Sequence, residues 1–322
     1  MKRVLAVDIG GTKLACAVVA ADGSLSAERR AATPRTDEPD ELFASVIALA
    51  RASLDESGAA IDTVDGRAAV AAAGGGAAVG AVGVGCGGPM RWPEGIVSPL
   101  HIPAWREFPL RERFTSELGM PCVVENDAKA FALGEHWLGA GREARALLGI
   151  VVSTGVGAGI VMDGRLIHGA SGQAGHIGHV LADSAPDAPD CACGARGCVE
   201  SIASGTAIAR RGGAAPDVLA ERARAQDREA GLIYAEAGRA LARGIACTAA
   251  LLDLDRVVVG GGVALGAWDL LEPALRAELA IRARLPFTRG LEVTRAALGD
   301  RAGLIGAARL ALDPQYSALA ER

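Results

Sequence analysis

Twice along the chain an apolar strand runs into a glycine turn and out into a second apolar strand, and this repetition limits the fold more than any other feature. The first copy is the strand Arg3 to Val7, the turn Asp8-Ile9-Gly10-Gly11-Thr12-Lys13 and the strand Leu14 to Ala20, closed by the hairpin signal Asp22-Gly23. The second is the strand Leu147 to Val152, the turn Ser153-Thr154-Gly155-Val156-Gly157-Ala158-Gly159 and the strand Ile160 to Met162, closed by Asp163-Gly164. A device used twice implies two related lobes. Glycine lets the main chain approach an anion closely and adopt positive φ, so each turn can offer bare N–H groups to phosphate. Thr12 and Thr154 add hydroxyls, Lys13 a charge, and Asp8 a carboxylate able to orient a magnesium ion through water. One such turn is ordinarily only a turn; two, each behind an apolar strand, point to a phosphate clamp.

The intervening segments fit a layered α/β chain. Thr36 or Asp37 is expected to cap a helix running to about Ser57, where Gly58 stops it. A further strand, Val257 to Val259, meets Gly260-Gly261-Gly262, and from Leu265 onward the pattern is mainly helical. With 50% hydrophobic and 22% charged residues over 322, the chain suits one or two globular domains. Aromatics are only 3%, so the core must be built largely from Ala, Val, Leu and Ile. A net charge of -5 with no concentrated basic run argues against nucleic acid as a partner. The stretch from Ala68 to Met90 carries no charge and is long enough to span a bilayer on counting alone. It is mostly Ala and Gly, which insert weakly, and reads as a flexible loop leading into a buried strand near Ala81 to Gly85, not as a membrane span. The apolar run from Met1 to Val7 is too short for a signal peptide, and a cytoplasmic location is expected.

Phosphoryl transfer asks a protein for in-line geometry, charge neutralisation and a base for the attacking hydroxyl. The best candidate base lies in Val123-Val124-Glu125-Asn126-Asp127-Ala128, where a strand end delivers Asn126 to hydrogen-bond a sugar and Asp127 to accept its proton. The plainer role of this pair is a helix N-cap, and the two roles are compatible. His179 followed by Cys191, Cys193 and Cys198 in Cys191-Ala192-Cys193-Gly194-Ala195-Arg196-Gly197-Cys198 matches a closed tetrahedral zinc site, structural because protein fills all four positions. A cluster of reduced thiols or a redox pair is the alternative. Cys16, Cys86, Cys122 and Cys247 sit in apolar context and are expected in the core.

Together these residues resemble the ROK family (repressor, open reading frame, kinase) of sugar kinases and sugar-responsive regulators, over nearly the whole chain. The likeness rests on Asp8 to Lys13, Glu125-Asn126-Asp127-Ala128, Ser153 to Gly159, Gly169 to His179, and the CxCGxxGCxE pattern from Cys191 to Glu200. It implies an α/β, two-lobed actin-like ATPase (hexokinase-type, ribonuclease H-like) fold with a zinc-stabilised loop. The lobes would comprise residues 1–122 with 303–322, and residues 123–302, the final helix with Gly303 to Ala308 folding back onto the first lobe. It implies Asp127 as catalytic base and Gly88, His101, Asn126, His176, His179 and Glu200 as sugar contacts. His179 would bind zinc through one ring nitrogen and the sugar through the other. Asp8, Gly10, Gly11, Thr12, Lys13, Ser153, Thr154, Gly155 and Gly157 would hold ATP with Mg2+, and Gly260, Gly261 and Gly262 resemble the family's adenosine-binding turn.

Two positions depart from the family pattern, His176 where Glu is usual and His101 where Asn is usual. A carboxylate accepts from two hydroxyls, whereas a neutral imidazole donates one hydrogen bond and accepts one, so sugar preference is expected to turn on these two. The string Ala174 to His179 resembles N-acetylmannosamine kinases, and Ser98 to Trp105 resembles glucokinases. The alternative role for His176 is support of the zinc loop. The resemblance therefore implies an ATP-dependent kinase acting on an aldohexose or N-acylhexosamine, as a homodimer or homotetramer. The alternatives are a fructokinase-type member, a sugar-binding regulator without catalysis and a zinc-stapled interaction module. Regulators of the family carry an N-terminal helix-turn-helix, for which a first strand at Arg3 is expected to leave no room.

Overall fold

The computed structural model describes residues 2–62 and 78–313. Along the chain, β1 (Arg3–Ile9), β2 (Lys13–Ala20) and β3 (Leu25–Ala32) form a meander, followed by α1 (Pro39–Ser57) and β4 (Val79–Cys86). Three short strands, β5 (Met90–Arg91), β6 (Ile96–Val97) and β7 (Phe108–Pro109), precede α2 (Leu110–Leu118), β8 (Cys122–Asn126) and α3 (Asp127–Leu138). A second meander, β9 (Ala146–Val152), β10 (Val156–Met162) and β11 (Arg165–Leu166), leads to α4 (Val199–Ala203), α5 (Gly205–Gly212), α6 (Pro216–Arg224) and α7 (Arg228–Leu252). The chain ends with β12 (Arg256–Gly260), α8 (Gly262–Gly266), α9 (Trp268–Arg282), β13 (Glu292–Arg295) and α10 (Ala302–Leu312).

The two large sheets share one design. Their orders are β3-β2-β1-β4-β8 and β11-β10-β9-β12-β13. In each, the meander strands pair antiparallel and the last two strands join parallel to the first. This is the ribonuclease H-like arrangement, present twice, as the repeated glycine turn implied. Each sheet belongs to its own compact unit, residues 1–138 with 168–172 and 301–322 in the first, residues 139–167 with 173–300 in the second. The boundary expected at 122/123 thus lies at 138/139. The reason is pairing: β8 runs parallel to β4 from Val82↔Cys122 to Cys86↔Asn126, which commits β8 and the α3 that follows to the first sheet.

In the first unit, one sheet face packs on α10, with Leu304, Ala307, Ala308 and Ala311 against Val4, Ala6, Ala17 and Val19. Contact here is backbone to backbone. A Cβ on Gly83 would lie 1.8 Å from the Ala307 carbonyl oxygen, and one on Gly306 would lie 1.6 Å from that of Ala130. The Gly and Ala content that first suggests looseness is what allows such close layers. The opposite face gathers the scarce aromatics, Phe43 with Phe108 and Phe114 at ring separations of 5.7 and 5.5 Å, and Trp105 stacked on Phe108 at 4.7 Å. In the second unit α7 buries Ile233, Tyr234, Ala237, Leu241 and Ile245, and α9 contributes Leu271 and Leu275 to the same core.

Several local expectations change. α1 begins at Pro39 with Glu38 as an N-cap that makes no side-chain bond, and Thr36 Oγ1 instead accepts the Glu38 N–H. Proline at the first helical position presets φ, so the helix starts later than Thr36 or Asp37 would have placed it. Gly58 does stop α1, in the left-handed region. The second glycine turn is shorter than expected: β10 begins at Val156, and Gly157 and Gly159 pair with Val151 and Gly149 in the ladder. β13 was not foreseen within the helical C-terminal pattern. Of the charge-free stretch, residues 68–77 lie outside the described residues, and β4 contains the expected strand. Among the described residues no helix is long and apolar enough to cross a membrane.

Candidate active site

In the first unit, β1, β4 and β8 are parallel neighbours, so their C-terminal ends deliver side chains to one edge. Asp8 sits near the end of β1, its Oδ2 2.7 Å from where a Cβ on Gly303 would be, so a side chain on that turn of α10 would push the carboxylate aside. The Gly10 N–H closes the turn by donating to the Lys13 carbonyl at 2.9 Å. A Cβ on Gly11 would lie 2.6 Å from His101 Cβ, so His101 is packed directly on this turn. His101 also lines a cavity of 360 Å³ with Thr33, Arg35 and Asp37.

β8 ends at Asn126 and α3 starts at Asp127. Asn126 Oδ1 accepts the Ala128 N–H at 3.0 Å, which caps the helix, and Asp127 Oδ1 is 2.8 Å from the same N–H. Asn126 Nδ2 lies 3.3 Å from the position of a Cβ on Gly88, and Asp127 Oδ2 lies 3.9 Å from that of Gly87. Asp127 is an exposed residue, yet its carboxyl is set among much protein. Desolvation raises its carboxyl above the ordinary range, opposed by the Ala128 N–H and the charge of His101. Because solvent reaches the carboxylate, the shift is smaller than a sealed site would impose. Beside it, burial first and then the Asp127 and Asp8 charges push the Cys86 thiol far up, leaving an inert packing group.

In the second unit, the turn Ser153-Thr154-Gly155 is tied to the start of α5. Gly205 donates to the Ser153 carbonyl at 2.8 Å, and Thr206 Oγ1 donates to the Thr154 carbonyl at 2.9 Å. Glu200, in the first turn of α4, accepts the Val156 N–H through Oε2 at 2.8 Å. A Cβ on Gly155 would sit 2.7 Å from that oxygen and would displace the Glu200 carboxylate. Glu200 therefore braces the phosphate-type turn as well as facing the loop that carries His176 and His179. Those two exposed imidazoles lie 6.1 Å apart between ring centroids.

Ser153, Thr154 and Gly262 line a cavity of 540 Å³, within the range of small-molecule sites. Gly261, just before Gly262, is not itself in the lining; it sits at φ +89 with any Cβ 2.4 Å from the Val152 carbonyl oxygen. Gly157 and Gly260 lie in strands and are not among its lining residues. Sequence reasoning missed the far wall, Thr206, Asp217, Glu221, Arg224 and Tyr234. Arg224 Nη2 donates to the Gly266 carbonyl at 2.7 Å and to Asp269 at 2.8 Å, joining α6 to α8 and α9. The one available signal was Tyr234, one of two tyrosines in the chain, placed on an otherwise aliphatic helix face.

His179, Cys191, Cys193 and Cys198 bring their ligand atoms within 4.8 Å of one another. His179 Nδ1 is 3.7 Å from Cys191 Sγ, and Cys193 Sγ is 3.8 Å from Cys198 Sγ. Four ligands around zinc with Zn–S near 2.3 Å would set sulfur atoms about 3.8 Å apart, so these residues fit the metal. Gly194 at φ +91 and Gly197 at φ +68 make the tight loop between the thiols. Of the other four cysteines, Cys16, Cys86 and Cys122 are buried as expected, while Cys247 is exposed on α7, away from the core position expected for it.

The comparisons with known proteins agree with this arrangement. A glucokinase of Streptomyces coelicolor is 31% identical across 98% of this chain and 99% of its own. An N-acetylmannosamine kinase of Yersinia pseudotuberculosis is 34% identical across 96% and 98%. The solved structure of a ROK family glucokinase from Streptomyces griseus in complex with glucose and AMPPNP is 30% identical, covers 96% of this chain and 99% of its own, and superposes with a TM-score of 0.76. The ROK family model matches residues 4–314, and with strand order, turn positions and likeness all in accord, the chain belongs to the ROK family.

Proposed function

We propose that this protein is an ATP-dependent sugar kinase that transfers the γ-phosphate of ATP to the 6-hydroxyl of an aldohexose or N-acylhexosamine, of the glucokinase or N-acetylmannosamine kinase type. The observation that carries the proposal is Asp127: a carboxylate reachable from solvent, raised by desolvation, beside Asn126 and in the same unit as the turn from Asp8 to Lys13.

Asp127 takes the proton of the sugar hydroxyl as its oxygen attacks the γ-phosphorus and the bond to ADP breaks. Asn126, Gly88, His101, His176, His179 and Glu200 hold the sugar. Gly10, Gly11, Thr12 and Lys13 on one turn and Ser153, Thr154 and Gly155 on the other hold phosphate oxygens, with Gly260 to Gly262 and the 540 Å³ cavity taking the nucleoside. Mg2+ neutralises phosphate charge when bound, and Asp8 would hold its water shell. His179, Cys191, Cys193 and Cys198 would hold Zn2+, which would serve as a structural crosslink. His179 Nδ1 points into the thiol cluster, which leaves Nε2 for a sugar hydroxyl. The proposal carries with it a cytoplasmic location, where ATP is supplied, and a homodimer.

The test is a coupled kinase assay with ATP and magnesium across glucose, mannose, N-acetylmannosamine, N-acetylglucosamine and fructose. Sugar-dependent ADP formation is expected, and preference for an N-acetylated sugar would support a specificity role for His176. Absence of turnover with every sugar would end the proposal.

A further inference from the structure

The segment 168–172 belongs to the first unit although the chain on both sides belongs to the second, and it meets there a set of buried charges that the proposed reaction leaves unused. Glu125 and Lys129 are each only 1% exposed. One is the penultimate residue of β8 and the other lies in the first turn of α3, so they bracket Asn126 and Asp127. Lys129 Nζ is 3.5 Å from Glu125 Oε1 and donates to the Gly172 carbonyl at 2.6 Å. His168 Nδ1 is 2.9 Å from Glu125 Oε2. Its ring stacks on Trp92 at 4.1 Å, and Gly172, at φ +77, leaves room for that indole.

A buried ion pair is seldom the most stable filling for a core, because desolvation offsets much of the attraction, so stability alone gives this cluster little reason to exist. What apolar side chains could not supply is the second contact of Glu125. Its Oε1 also accepts the backbone N–H of Asn126, at 2.8 Å. That bond fixes the peptide from which Asn126 aims at Gly88 and from which Asp127 starts the helix. Without a neighbouring cation, the buried carboxylate would be left unpaired and drawn toward water, and the bond would be lost.

We propose that Lys129 and His168 are positioning residues for the phosphoryl transfer, holding the buried Glu125 carboxylate so that it locks the Asn126 peptide and, through it, the Asp127 base. The inference rests on the reading of Asp127 as base. Placement errors near 1 Å are enough to cost about a hundredfold in rate, so a small rotation of this peptide has a measurable effect.

The experiment compares full-length parent, K129M, H168Q, E125Q and the K129M/E125Q double variant in the coupled assay, with folding followed by circular dichroism. K129M is expected to lose about a hundredfold in kcat, with the KM for ATP within about twofold of the parent. Adding E125Q should restore about tenfold or more, because glutamine still offers an oxygen to the Asn126 N–H and leaves no unpaired charge. H168Q should lose about tenfold in kcat and decides the matter if K129M does not fold. A K129M or H168Q kcat within twofold of the parent, or a double variant no better than K129M, overturns the proposal, since a merely structural role would lower melting temperature without this pattern of rescue. The parent is measured first: no sugar-dependent ADP formation by it would defeat the kinase reading and this inference together, whereas an active parent with unchanged variants defeats only the inference.

Discussion

Gly306→Ala is a change of one methyl group that the first unit cannot absorb. The new Cβ would lie 1.6 Å from the Ala130 carbonyl oxygen, 2.4 Å from its carbonyl carbon and 3.0 Å from its Cα. All three are main-chain atoms of α3, so no side chain can swing away. A normal carbon to oxygen contact needs about 3.2 Å, which requires α3 and α10 to part by roughly 1.6 Å along this line. Overpacking of this kind costs typically about 1–3 kcal/mol, and the backbone clash places G306A near the top of that range, about 3 kcal/mol. For a unit of this size each kcal/mol lowers the melting temperature by about 2–4 °C, giving a fall of roughly 6–12 °C. α3 begins with Asp127, so the same displacement moves the proposed base, and a shift of 1 Å is worth about a hundredfold in kcat. Differential scanning calorimetry and the coupled assay read the two effects. Gly231→Ala is the control: nothing lies within 4 Å of its Cβ inside α7, and it should stabilise by about 0.5–1 kcal/mol. A G306A melting temperature within about 1 °C of the parent, with kcat within twofold, would refute the packing argument.

Asp127→Asn should lower kcat by about a hundredfold or more while calorimetry finds sugar affinity within threefold, since Asn can still accept the Ala128 N–H. The Asp127 carboxyl is raised by desolvation, so the acid limb of kcat/KM should lie above the ordinary Asp range, and a limb within that range would contradict the shift. Its stability linkage has the matching sign: ionisation costs the native state, so stability is complete below the unfolded value and falls as pH rises through the raised one. D127N should therefore melt higher than the parent at pH 8 and lose that advantage near pH 4. Cys193→Ser, or chelation, should lower both melting temperature and sugar affinity; because Glu200 also holds the Val156 N–H, ATP affinity should weaken too, and unaltered affinities for both would sever that link. Arg224→Ala removes the tie to Asp269 and the Gly266 carbonyl and should raise the KM for ATP about threefold or more with the sugar KM unchanged, as read from initial rates.

The legible part of this protein was local. Strand, glycine turn and strand occur in sequence order, and glycine's φ freedom and lack of Cβ are properties of single residues, so the two turns and the repeated sheet could be read directly. The spacing of Cys191, Cys193 and Cys198 was likewise legible, because three ligands within eight residues must meet wherever the chain goes. Two errors arose where a neighbour overrode a local preference. Gly157 and Gly159 looked like turn residues, but β9 continues far enough to pair with both. Glu292 to Arg295 looks polar, yet β12 offers it an open edge.

Contacts between distant segments left no such trace. Nothing near Glu125 announces that His168 and Gly172, more than forty residues later, complete its surroundings. Nothing around Gly306 announces that Ala130 lies against it. The wall of the large cavity comes from α5, α6, α7 and α8, whose amphipathic patterns encode burial and not what their exposed ends face. From the amino-acid order alone came the repeated phosphate-type turns, the Asn126-Asp127 pair and the knuckle from Cys191 to Cys198, since each is held together by covalent proximity. Tertiary structure alone decided that α3 belongs with the first sheet, which buried charges bracket Asp127 and what lines the 540 Å³ cavity, because those depend on how β8, α10 and α6 pair and pack across the chain.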